Sequence, residues 1–476
     1  MFIKNLNLKN FPLVFGIIFF ILLSFIWLIP PLQSPDEISH LQRAYYVSNG
    51  ALFLKNNQGR LGDEVDINLL KYIQEYENIP FHIFNRVENK KVEASKRLKW
   101  SDAGKVFNDD ANTKYYLPSS YLPQALGLKT GRELNLSIHD TYYLARIFNI
   151  VAISLALTIG FLMVPPRPLV YALLLLPMSI FLMASSSPDG LSIALSVTAI
   201  SLFIYNSSNT GLRKSNFLIL AILLVIIVGI KFFMLPVFLL LIYKNISWKN
   251  FLAIIFLVLI IVIIALFFSD VFFMQSDNRL LHRPSNLMTF KYYIFHPREV
   301  FSIFHNTFMV YGKSRFIYQS FVGNLGWMDT PLVKEAYRCF TFLLISLLIL
   351  TLPIPSTKQI LIRVKKILIS NPFKFTHGVG LVLFTISLSS ALIVPMLLLI
   401  SWSTFPAEEI HGIQGRYFLI PALFLAYSIP WEIKTGESCS LNKYRMFFSW
   451  AIVIAIGATS CFYLTSALLN RYFIGQ

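Results

Sequence analysis

Apolar runs long enough to cross a lipid bilayer recur along this chain, at about 11–30, 138–164, 169–186, 189–205, 216–243, 250–269, 336–354, 376–402, 416–433 and 446–470. A helix rises 1.5 Å per residue, so about 20 residues with few charges match a hydrocarbon layer about 30 Å thick. The core of a soluble domain needs no such runs, and the 476 residues are 55% hydrophobic and only 14% charged. Inside hydrocarbon every backbone N–H and C=O must find a partner within the protein, which helices achieve segment by segment. The expected fold is therefore an all-α polytopic membrane protein.

The formal charge of +17 does not imply a nucleic-acid partner, because Lys and Arg gather in short loops beside the apolar runs. That is the pattern of retention on the cytoplasmic side, and it places Lys4 and Lys9, Arg167, Arg213 and Lys214, Lys244 and Lys249, the group Lys358, Arg363, Lys365, Lys366 and Lys374, and Lys434, Lys443 and Arg445 inside. Residues 31–137 mix both signs almost evenly and are expected outside, as is the stretch 270–335. Three cysteines, Cys339, Cys439 and Cys461, show no metal-ligand spacing. Residues 11–30 lack a small-x-small cleavage site before Pro30-Pro31 and read as a retained first span.

Parity then constrains 216–243, since the basic residues before and after it both belong inside. The segment must enter and return, with its reversal near Gly229-Ile230-Lys231 and limbs of about 13 residues, or roughly 20 Å, too short for a full crossing. The expected organisation is a first span (1–30), an outward stretch with two juxtamembrane helices (31–137), helices including the paired limbs (138–269), a second outward stretch (270–335) and C-terminal helices (336–476). This gives about 11 crossings with the N-terminus inside.

Immediately after the first span stands PPLQSPDEISHLQRAYYVSNG. Ser34 as N-cap, Pro35 at the first helical position and Glu37 closing a capping box predict a helix start. Asp36, His40 and Arg43 then fall on one face. A helix cap alone would account for the acids; a carboxylate held at the membrane surface beside a His and an Arg also suits a general base for a hydroxyl nucleophile. The same grammar recurs in SSSPDG, where Ser187 caps, Pro188 starts and Asp189 follows. Lys231, at the reversal of the paired limbs, is an intramembrane cation, which is usually partnered or functional. In IHGIQGRYF, Gln414, Arg416 and Tyr417 precede a span, and an Arg there can fork two hydrogen bonds onto a phosphate. Arg146, one turn after Tyr142, is a further phosphate-binding candidate. YYLPSSYLPQALGLKTGREL reads as a second surface helix, with Tyr121 and Gln124 facing a groove. No nucleotide-binding loop and no HExxH occurs. A divalent ion between Asp36, Glu37 and Asp189 is conceivable, but no metal site is assigned.

At these residues the sequence resembles a family of bacterial polytopic membrane proteins catalogued as domain-of-unknown-function family 2142 and regarded as GT-C-like. The matching stretches are PDEISHLQRAYYVSNG, YLPSSYLPQALGLKTGREL followed by YYLARIFNIV, LLPMSIFLMASSSPDGLSIAL, NLGWMDTPL and IQGRYFLIP. The resemblance implies a GT-C architecture in the bacterial inner membrane, with a first-loop acid, here Asp36 beside Glu37, as catalytic base, and an Arg-Tyr pair, here Arg416 and Tyr417, at a late span. It also implies a polyprenyl-phosphate sugar donor, a cell-surface glycan acceptor such as an O-antigen or teichoic-type polymer, and upstream partners that make and flip the donor.

Three activities follow as expectations. In an inverting transferase, Asp36 takes the acceptor proton while Arg416, Lys231 and Arg146 hold the lipid phosphate, with His40, Arg43, Tyr121, Gln124, Asp189, Gln414 and Tyr417 in support. A polymerase or ligase moving a whole glycan from a polyprenyl diphosphate would rely instead on His411 and Arg416. A lipid-glycan translocator would need polar groups at mid-membrane depth.

Overall fold

The structure is a computed structural model that describes residues 8–58, 60–101, 104–110, 113, 116–208, 214–242, 283–352, 378–429 and 439–474. The expected span 250–269 and the basic group from Lys358 to Lys374 lie outside the described residues. The protein is mostly helical, and four of its helices are long and apolar enough to cross a membrane: Ile138–Met163, Pro188–Ser207, Val379–Ser401 and Lys443–Tyr472. The count of about 11 crossings goes beyond these four.

Helix α1 (Phe11–Ser24) is shorter than the expected span to residue 30. Pro30-Pro31 disfavours helix in the residues before it, and the carbonyls so released at Ile26, Ile29 and Pro30 accept hydrogen bonds from the guanidinium of Arg146 at 3.0, 2.7 and 3.2 Å. Helix α2 (Glu37–Ser48) follows. It begins two residues later than the capping grammar predicts, because Asp36 takes a left-handed backbone (φ 59°) that no helix continues through. Only half of the expected capping box forms: the Glu37 carboxylate accepts from the Ser34 N–H at 3.0 Å, while the Ser34 hydroxyl caps nothing.

The stretch 31–137 holds more than two surface helices, and the all-α expectation needs correcting here. Strands β1 (Lys55–Asn57), β2 (Arg60–Asp66) and β3 (Lys105–Asp109) form an antiparallel sheet in the order β1-β2-β3. Helices α3 (Ile67–Gln74) and α4 (Asn89–Arg97) lie between β2 and β3. A 3-10 turn (Pro118–Tyr121) then leads into α5 (Leu122–Glu133). One face of α5 packs against the bundle while Leu122 and Leu126 on the other stay exposed. Gly127 lets its backbone approach Ala145 of α6 (Ile138–Met163) so closely that an added Cβ would stand 2.5 Å from the Ala145 Cα.

The apolar run 169–186 divides into α7 (Pro168–Leu174) and α8 (Pro177–Met183), since Pro177 has no N–H to continue the ladder. Helix α9 (Pro188–Ser208) starts as SSSPDG predicts, with the Ser187 hydroxyl accepting from the Asp189 N–H at 3.1 Å. Helix α10 (Lys214–Ile230) stops just before Lys231. The chain then packs back on α10 as a 3-10 helix (Phe232–Phe238) and α11 (Leu239–Ile242), which also meet the long helix Val379–Ser401. The reversal lies where parity requires it; the returning limb is largely 3-10.

Among residues 283–352 are α12 (Asn286–Phe295), α13 (Pro297–His305), α14 (Lys313–Val322), the short pair β4 (Asn324–Leu325) and β5 (Thr330–Pro331), and α15 (Lys334–Thr351). Helix α16 (Val379–Ser401), a 3-10 turn (Gly415–Phe418), α17 (Leu419–Ser428) and α18 (Cys439–Tyr472) complete the described chain. The apolar core is continuous through α1, α6, α9, α10, α16 and α17.

Candidate functional site

Four segments converge at the end of the bundle where α2 and α9 begin. The turn before α2 supplies Asp36, the first turn of α9 supplies Asp189, the break after α10 supplies Lys231, and the turn before α17 supplies Arg416. Lys231 Nζ lies 2.6 Å from Asp189 Oδ1. Arg416 joins both carboxylates, with Nη1 3.2 Å from Asp189 Oδ2 and Nη2 2.8 Å from Asp36 Oδ2. Its Nε donates to Gln414 Oε1 at 2.6 Å, and both cations lie over the Tyr417 ring, at 5.4 Å for Lys231 and 5.3 Å for Arg416.

Local packing fixes these positions. Gly415 sits against α14 where an added Cβ would run into the Ile317 carbonyl and the Phe321 backbone, and its N–H donates to the Ser320 hydroxyl at 2.7 Å. Arg416 is thereby held from the side away from the carboxylates. A buried charge is costly without partners, and removal of one partner costs more than the pair contributes; here two acids and two bases cancel.

Accessibility separates the two acids. The Asp189 and Arg416 side chains are each 4% exposed, whereas Asp36 is surrounded by protein on most sides yet keeps 51% of its side chain open to solvent. Burial acts to raise the Asp36 carboxyl, but the Arg416 guanidinium bonded to it outweighs that and holds the group below the usual carboxylate range. His40 stands behind Asp36, its Nδ1 2.9 Å from the Tyr121 hydroxyl and its ring edge-on to Tyr116 at 5.2 Å. Burial pushes the imidazole down to about 4, against the raising influence of Asp189 and Asp36. It is neutral at physiological pH, and burial likewise keeps the Tyr121 phenol protonated.

The structure thus brings Asp36, His40, Tyr121, Asp189, Lys231, Gln414, Arg416 and Tyr417 together, and sets four other expected residues apart. Glu37 and Arg146, both fully buried, form their own node: the Glu37 carboxylate accepts from the Tyr142 hydroxyl at 2.8 Å, the Ser186 N–H at 2.9 Å and Arg146 Nη2 at 3.3 Å. Arg146 is occupied by that carboxylate and three carbonyls of the chain after α1, an arrangement that ties loops rather than one presented to a phosphate. Arg43 donates to the Leu52 carbonyl at 2.6 Å and closes the loop after α2. Gln124 is fully buried and donates to the Ser186 carbonyl at 3.4 Å. With Glu37 turned to Arg146, the three carboxylates do not form a common ligand set, and among the described residues no group of three or more His, Cys, Asp or Glu is placed to hold a metal ion. Tyr116, which faces His40, carries no sequence signal beyond its place before the LPSSY turn.

Fold and site together define a helical membrane protein with a charge-paired polar site at one end of its bundle. The chain belongs to the family described as Predicted membrane protein (DUF2142), whose model matches residues 19–425. The matched region contains all eight convergent residues. No curated protein and no solved structure matches the chain.

Proposed function

We propose that the protein is an inverting GT-C-type glycosyltransferase, moving a monosaccharide from a polyprenyl phosphate to a hydroxyl of a cell-surface glycan. The reading includes the finer architecture of about 11 crossings and a site facing outward from the bacterial inner membrane, as the positive-inside pattern requires. The observation that carries it is the Asp36–Arg416–Asp189–Lys231 network, in which one carboxylate keeps an edge open to solvent while the cations are held rigidly beside it.

In this mechanism the lipid phosphate takes Arg416 as its partner in place of Asp36, with Lys231 beside it. Asp36, released from its ion pair, accepts the proton of the acceptor hydroxyl. The hydroxyl oxygen bonds to the anomeric carbon from the face opposite the phosphate, the C–O bond to phosphate breaks, and the lipid phosphate leaves with the electron pair, inverting the centre. Cations fixed where leaving-group charge develops need no reorganisation as the reaction proceeds, and holding the two substrates at one boundary supplies orientation. Neutral His40 adds no competing positive charge, and with Tyr121 it backs the base. Asp189 keeps Lys231 and Arg416 in place.

His411, on which a block-transferring polymerase or ligase would depend, lies 3.7 Å from Glu409, itself paired with Lys313 at 2.8 Å, so its partner is a glutamate of its own loop rather than Asp36 or Asp189. The test is a reconstitution: purified protein in bilayers, a polyprenyl-phosphate sugar and candidate glycan acceptors, with transfer scored by mass. Monosaccharide transfer with inverted anomeric configuration is the expected result; block transfer, or lipid movement without transfer, overturns it.

A further inference from the structure

The loop Pro80–Phe84 (PFHIF) presents apolar side chains outward: Phe81 is 67% exposed, Ile83 57% and Phe84 84%. It belongs to no core cluster, yet it is firmly anchored. Arg471, near the end of α18, donates to the carbonyls of Ile79 at 2.8 Å, His82 at 3.2 Å and Asn85 at 2.7 Å. Val87 N–H donates to the Tyr472 carbonyl at 3.1 Å, and Arg86 donates to the Asn470 and Ile474 carbonyls. The loop therefore rides on the last turn of a helix long and apolar enough to cross the membrane.

From this geometry we infer that the loop Pro80–Phe84 is a membrane-contact surface, its aromatic tip seated in the headgroup and acyl boundary of the leaflet on the site's side. Three observations favour lipid as the occupant. The exposed apolar face of α18, with Ile454 and Phe462, runs on through Phe473 and Ile474 at the same end of the helix as the loop, so one apolar band links span and loop. Irregular backbone survives near hydrocarbon only where its polar groups are satisfied, and here one arginine side chain from the span itself, Arg471, fills the carbonyls of Ile79, His82 and Asn85. Phe is also among the residues that membrane-surface segments bury at this boundary.

The anchor leads onward to the site. Asp329 pairs with Arg471 at 3.2 Å and accepts from the Phe81 N–H at 2.8 Å and the Trp327 N–H at 3.2 Å. The Trp327 indole donates to the Leu32 carbonyl at 2.9 Å, four residues before Asp36. This wiring absorbs the NLGWMDTPL stretch, to which the transfer mechanism gives no role, and fixes the height of the Asp36 loop relative to the lipid surface. The inference rests on the chain being a membrane protein and not on the transferase reading.

The experiment uses full-length protein in lipid nanodiscs, with Cys339, Cys439 and Cys461 changed to Ser and a single cysteine at Phe84→Cys, or in a second variant Ile83→Cys, carrying an environment-sensitive fluorophore. Gln58→Cys, on the exposed β1–β2 turn, serves as the aqueous reference. The expected result is blue-shifted emission at 83 and 84, quenching by shallow doxyl-labelled lipids, and iodide quenching at least about threefold weaker than at 58. Iodide access equal to that at 58 with no lipid quenching overturns the inference, as does protection that appears only when another membrane protein is added.

Discussion

Asp36 and Glu37 are neighbours in sequence and opposites in structure. Glu37 is sealed from solvent and its two oxygens receive donors from Ser34, Tyr142, Ser186 and Arg146, bringing the start of α2, helix α6 and the SSSPDG turn to one point. Asp36 has one 2.8 Å partner, Arg416, and stays half open. A carboxylate whose acceptor sites are all filled holds structure; one with vacant lone pairs facing solvent can take a proton. The left-handed backbone at Asp36 separates the two roles, since it turns one side chain toward the site and the next into the core.

Breaking the contrast on the Asp36 side should have the largest effect. Asp36→Asn keeps shape and suits the left-handed backbone, which asparagine tolerates better than most residues, so the fold is expected to survive. Sugar transfer should fall about a thousandfold, the usual scale for loss of a positioned base, with a fall in melting temperature in detergent far smaller than for the sealed Glu37, since the Asp36 side of its pair is half open to solvent. Transfer by this variant within a few fold of the parent would remove Asp36 from the mechanism.

On the other side, Glu37→Gln leaves the Arg146 guanidinium buried without its counter-charge. The expected loss is about 3–5 kcal/mol of stability, read as a fall in melting temperature and in folded yield from membranes. Adding Arg146→Met should not restore it, because the carbonyls of Ile26, Ile29 and Pro30 would then lose their donor. Recovery in the double variant would show that the node is only an ion pair.

Arg416→Lys sharpens the comparison on a smaller scale. The charge stays, but a single ammonium cannot reach Asp36, Asp189 and Gln414 as the fork does. One charge-assisted hydrogen bond lost, at about 1.5–3 kcal/mol, translates into a loss of roughly ten- to a hundredfold in kcat/KM. A change confined to acceptor KM would instead place Arg416 on the acceptor side.

Much of this site was legible because two kinds of signal coincide. Capping grammar located the start of α9 and the neighbourhood of α2, and the parity of basic loops required the chain to reverse at Lys231, so residues as far apart as Asp36 and Arg416 were expected at one face. The division between Asp36 and Glu37 was hidden, since it depends on a left-handed residue where SPDE reads as an ordinary helix start. The sequence suggests a phosphate ligand at Arg146 and a supporting site residue at Arg43, because an Arg near an apolar span announces a partner without naming it; backbone carbonyls claim both. The sheet in 55–109 was missed for another reason: β2 buries Leu61 and Val65 amid Gly, Asp and Glu, a strand whose polar majority reads as loop.

The smallest expected effect lies in the dependence of stability on pH, where two buried groups of the same stretch, 31–137, oppose each other. His40, pushed by burial to about 4 from an ordinary 6.5, binds its proton less readily in the folded state, so between those values stability rises with pH. Asp110 is raised by burial to about 7, against the lowering influence of its Thr113 bond and Arg43, so the folded state holds the extra proton and stability falls as pH rises from about 4 to 7. Each slope approaches about 1.4 kcal/mol per pH unit, and over pH 4.5–6.5 they nearly cancel. Asp110→Asn removes the falling contribution, so its melting temperature should climb with pH more steeply than the parent's. His40→Gln removes the rising one and should tilt the profile the other way. Parallel profiles for both variants and the parent would mean that neither group is buried in the charge state the geometry assigns, and would take neutral His40 out of the account of how Asp36 is backed.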